Sequence, residues 1–74
     1  MTTKELTALA SEAFSTSAVV WHHREPGRTK AWAYTVETLP HRHQTVRQLV
    51  VRGDTRAEAE ARFVACLRAI KEVQ

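Results

Sequence analysis

The spacing of apolar positions divides the chain into five segments. Leu6, Leu9, Ala10, Ala13 and Phe14 recur at the helical period. They predict a first helix that opens at Thr2 or Thr3, with Glu5 three residues after Thr2 as in a capping box, and ends at Ser15-Thr16-Ser17. Ala18 to Glu25 reads as a strand, Glu25-Pro26-Gly27-Arg28 as a turn, and Thr29 to Thr38 as the returning strand. Pro40 stops that strand, a polar loop runs through His41-Arg42-His43-Gln44, and Thr45 to Arg52 forms a third strand around Leu49-Val50-Val51. After Gly53-Asp54, Thr55 with Glu58 makes a second capping box. Ala59, Phe63, Cys66, Ile70 and Val73 keep helical spacing to the C-terminus.

The segment order is α-β-β-β-α. It predicts one α+β domain over residues 1–74, a three-stranded antiparallel sheet with the N- and C-terminal helices packed on one face. A four-residue hairpin loop would pair Arg24 with Thr29, Trp21 with Trp32 and Val19 with Tyr34. On that register the aromatics join Val36, Leu49 and Val51 beneath the helices. The opposite face then shows Val20, His22, Arg24, Ala31, Ala33, Thr35, Gln48 and Arg52, with no element left to cover it.

Length changes the picture first. At 74 residues the chain holds a single small core, and such cores rarely supply more than roughly 3–5 kcal/mol without disulfides, metals or self-association. Cys66 is the single cysteine, so no intrachain disulfide forms. No leader-like stretch opens the chain and no run approaches the length of a membrane span, which leads us to expect a cytoplasmic protein without membrane contact. Charge changes it next. Eleven Lys and Arg against eight Asp and Glu give +3, unevenly distributed. Trp21 to Arg52 holds Arg24, Arg28, Lys30, Arg42, Arg47 and Arg52 against Glu25 and Glu37, together with all four histidines, so an anionic partner would meet the middle of the chain.

Candidate chemistry is thin. His22-His23 and His41-x-His43 suggest a metal, but the loop pair stands four residues from His22 along the sheet. That is roughly 13 Å, too far for one ion to bridge. Neighbouring histidines on a strand also point to opposite faces. Cys66 lies on an apolar stripe, where a thiol stays protonated and inert. No serine has a His-Asp pair near it in sequence, and two glycines leave no loop for cradling phosphate. The expectation is a chain with no enzymatic activity, no metal and no cofactor.

In its segment order the chain resembles double-stranded RNA-binding domains and the wider group that shares their α-β-β-β-α topology. The resemblance implies RNA contact through the first helix, the loop between the first two strands and a basic start to the last helix. On this chain those places are Pro26, Gly27, Arg28 and Lys30 in the loop and Arg56 in the helix. Gly53-Asp54-Thr55 followed by Ala57-Glu58-Ala59 is also similar to the strand-to-helix transition of HicB-type antitoxins, which implies a small regulator.

Two functions are therefore expected. One is a small regulatory protein that binds another protein, as an inhibitor or modulator of a larger nucleic-acid-handling complex of the phage or toxin-antitoxin kind. The other is a nucleic-acid-binding module. The candidate contact residues are Arg24, Arg28, Lys30, Arg42, Arg47, Arg52, Arg56 and His22. Protein binding ranks first, because the start of the last helix lacks two of the expected bases and carries Glu60, which repels phosphate, and because +3 is a weak charge. A homodimer suits either function, given the small core and uncovered sheet.

Overall fold

A computed structural model describes residues 1–27, 31–39 and 46–73. The elements are α1 (Thr3–Phe14), β1 (Ala18–Arg24), β2 (Trp32–Thr38), β3 (Gln48–Gly53) and α2 (Arg56–Glu72). The strands form one antiparallel sheet in the order β1-β2-β3, so the expected α-β-β-β-α fold is what the chain adopts. Residues 28–30 and 40–45, which hold Arg28, Lys30, Arg42, His41 and His43, lie outside the described residues.

Local chemistry explains the helix ends. The Glu5 amide donates to Thr2 Oγ1 at 3.2 Å and the Thr2 amide donates to Glu5 Oε1 at 2.9 Å, which satisfies two donors that the first turn would otherwise leave bare. Ser15 closes α1 in the left-handed region at φ 55°. At α2 the Glu58 amide donates to Thr55 Oγ1 at 3.1 Å, as expected. The return bond differs: the Glu58 carboxylate accepts from the Asp54 amide at 3.3 Å, one residue before the cap.

Both helices cover the same side of the sheet. Leu6, Ala10 and Ala13 of α1 and Ala59, Phe63 and Leu67 of α2 share one core with Ala18, Val20, Tyr34, Val36 and Val51. Leu9, Phe14, Trp32, Leu49, Cys66 and Ile70 pack around it half-buried. Two residues depart from the expected stripe of the last helix. Leu67 is fully buried, and Val73 lies past the helix end in solvent. A ring stack crosses the core: His22 lies 5.2 Å from Tyr34, and Tyr34 lies 5.6 Å from Phe63.

The hairpin register differs from the expected one. Arg24 pairs with Trp32, His22 with Tyr34 and Trp21 with Thr35. Ala18, Val20 and His22 therefore face the helices, whereas Val19, Trp21 and His23 face away. Relative to the four-residue-loop register the pairing is offset by three positions. An odd offset turns every β1 side chain to the other face. The loop is longer than Pro26-Gly27 suggested, with its neck closed by the Glu25 amide donating to the Ala31 carbonyl at 2.7 Å. The β2 and β3 face assignments hold, with Trp32, Tyr34, Val36, Leu49 and Val51 on the helix side.

Candidate functional site

The sheet face turned away from the helices is built from three cross-strand rows: Val19–Glu37–Gln48, Trp21–Thr35–Val50 and His23–Ala33–Arg52. The ladder continues past the strand ends, because the Leu39 amide donates to the Ser17 carbonyl and the Thr38 amide to the Arg47 carbonyl, both at 2.9 Å. Alternation carries Leu39 and Val46 onto the same face. Six large hydrophobic side chains are exposed among the described residues. Met1 and Val73 stand near the chain ends. The other four, Val19 (45%), Trp21 (37%), Leu39 (45%) and Val46 (43%), all belong to this face.

The central strand makes the floor of the patch. Ala33 is 0% and Thr35 2% exposed although no helix covers them. Their side chains are short, so the larger neighbours on β1 and β3 close over them. Arg52 Nε donates to Glu25 Oε1 at 2.6 Å, a bridge that joins the two edges of the sheet at the hairpin end. β2 is buried on both faces from Ala33 to Val36 and half-buried at Glu37, while the edge strands expose Val19, Trp21, His23, Gln48 and Arg52.

The candidate contact residues fall in different places. Arg24 and Arg52 stand at the hairpin end, on opposite sides of the sheet, by alternation from Trp32 and Ala33. Arg56 begins α2 at that same end, where its Nε donates to the Tyr34 hydroxyl at 3.2 Å. Arg47 is at the far end of β3, with its amide donating to Thr38 Oγ1 at 2.7 Å. His22 lies on the helix side, stacked on Tyr34 and tilted 6.2 Å from Trp32. Several bases on the described surface are answered by acids: Arg52 by Glu25, Arg62 by Glu58 and Lys71 by Glu12. These pairings thin the phosphate-attracting field that the sequence count alone suggests.

Among the described residues no group of three His, Cys, Asp or Glu side chains is placed to hold a metal ion. Glu5 and Glu12 titrate below their ordinary range, Glu5 because the Thr2 amide donates to its carboxylate and Glu12 because Lys71 does. Both are cap or surface groups, remote from the open face. No helix among the described residues is long and apolar enough to cross a membrane.

Val19, Trp21, Leu39, Val46 and Val50 are the surface residues that sequence reasoning missed. The available signal was in β1 itself, where both alternating sets, Ala18/Val20 and Val19/Trp21, are apolar. A strand with two apolar faces is either buried on both or offers one to a partner. No protein-family model, no curated protein and no solved structure matches this chain.

Proposed function

We propose that the chain is a small binding protein without catalytic activity that acts through protein–protein contact on the open face of its sheet. The observation that carries this reading is the gathering of Val19, Trp21, Leu39 and Val46 on one side of a domain whose helices cover the other. Apolar side chains held on a rigid sheet lose little conformational freedom on binding, and a Trp with a polar rim is the composition of an interface centre. His23, Gln48 and the Arg52–Glu25 pair supply that rim, and Glu37, on the central strand between Val19 and Gln48, is an acidic group within the patch.

Photo-crosslinking from a probe at Val19 in the cell tests the reading. We expect a discrete crosslinked protein that disappears in a Trp21→Glu background whose far-ultraviolet circular dichroism is unchanged. The competing nucleic-acid reading is supported by Trp21, whose ring could stack on a base, and by the bases Arg24 and Arg52 at the hairpin end. Titration with labelled single- and double-stranded DNA and RNA at two salt concentrations separates the two. Tight, salt-sensitive binding lost on Arg24→Ala or Arg52→Ala, with no crosslinked protein, would replace the protein-binding reading.

A further inference from the structure

We infer that the occupant of the open face is a second copy of this chain, packed sheet to sheet about a two-fold axis that runs across the strands through the Trp21–Thr35–Val50 row. This inference rests on the reading of that face as a protein-binding surface and names its partner. On either side of the Trp21 row, at the same distance along the strands, lie the Val19–Glu37–Gln48 row and the His23–Ala33–Arg52 row. A two-fold axis through the Trp21 row exchanges them, because in an isologous contact each patch meets its own mirror position.

The side chains on those rows suit one another. Glu37 of one copy comes over Ala33 of the other, where the small side chain leaves room, and between His23 and Arg52. Each copy thus sets its one acidic group of the middle rows against the bases of its partner, twice over. Gln48 comes opposite Arg52, whose Nε is held by Glu25 and whose guanidinium carries further N–H groups. On the axis Trp21 meets Trp21 and Val50 meets Val50, which buries the most apolar row at the centre of the interface. The opposite ordering, with Glu37 set against Glu37, would be repelled by like charge, so the charges select this axis.

Size agrees with a weak, concentration-dependent dimer. Three strands at about 4.8 Å spacing and about 3.3 Å per residue from Leu39 to Ala31, the position the axis sets against it, give a face about 14 Å wide and about 26 Å long. With side-chain relief this hides roughly 500 Å² on each copy, near the lower limit for a specific interface. Two sheets packed about 10 Å apart accommodate the Trp21 rings between them.

Sedimentation velocity on the full chain, from about 1 µM to about 1 mM, tests the inference. The expected result is a monomer–dimer equilibrium that Trp21→Glu and, independently, Val19→Lys each weaken at least tenfold while circular dichroism stays that of the native chain. Glu37→Lys should weaken the dimer, and adding His23→Glu to it should recover part of the loss. A wild-type chain that is monomeric throughout, or a dimer indifferent to all three face substitutions, overturns the second copy. The crosslinking from Val19 tells the two failures apart. A monomer that crosslinks a different protein removes only this inference, whereas a monomer that crosslinks nothing removes the binding reading as well.

Discussion

At the scale of single residues, the two glycines have different reasons to be glycine. A Cβ on Gly53 would stand 2.5 Å from the Ala59 amide nitrogen and 2.9 Å from its Cα, backbone atoms that cannot turn aside. Gly53→Ala must therefore push the start of α2 off the end of β3, at a cost of about 1–3 kcal/mol, the range for overpacking. Gly27 has open space around it but a φ of +104°, so Gly27→Ala strains only the backbone, by roughly 1 kcal/mol. Urea unfolding of both variants checks the order; equal midpoints for Gly53→Ala and wild type would mean that the helix start yields. The sequence marked both glycines as punctuation. It gave no sign that one of them touches a helix six residues further on, because that contact exists only once α2 folds back over β3.

At the scale of elements, the caps were legible because they are local. Thr2 with Glu5, and Thr55 with the Glu58 amide, follow from spacing on one turn of helix. Thr55→Ala should lower stability by about 1 kcal/mol, read as a drop in the urea midpoint. Acid should act through the two carboxylates of α1. Glu5 and Glu12 both titrate below their ordinary range when folded. Their contribution is complete above the ordinary glutamate range and is lost as pH falls through their lowered values. Between about pH 6 and about pH 3 the unfolding midpoint should fall, and fall less in a Glu5→Gln/Glu12→Gln chain. An identical pH profile in that chain would show that other carboxylates govern acid unfolding. The register of β1 was not legible, since it depends on how many residues the hairpin loop takes up, and both alternating sets of β1 are apolar enough to be core.

At the scale of the whole molecule, a chain of 74 residues has little stability to spare. Phe63 is fully buried and stacked on Tyr34 at the centre of the core. Phe63→Ala removes about 3–5 kcal/mol, as much as a core of this size supplies, so the variant should be unfolded at room temperature by circular dichroism. A cooperative native-like melt in that variant would indicate a second source of stability, of which self-association is the obvious one. If two copies pair through the open face, the melting temperature of the wild-type chain should rise with protein concentration, and that of Trp21→Glu should not.

By itself the sequence determined the elements and their order, since helical and two-residue periods, caps and turn residues are written within a few positions of one another. It also determined which side of β2 and β3 meets the helices, because Trp32, Tyr34, Val36, Leu49 and Val51 outweigh their neighbours in apolar character. Only the tertiary structure decided the side of β1. Ala10 and Ala13 of α1 share the core with Ala18 and Val20, small side chains that admit a close helix, and the bulky Trp21 is left for the other face. The physical reason is that alternation fixes which residues go together, whereas packing against a second element fixes which set goes in.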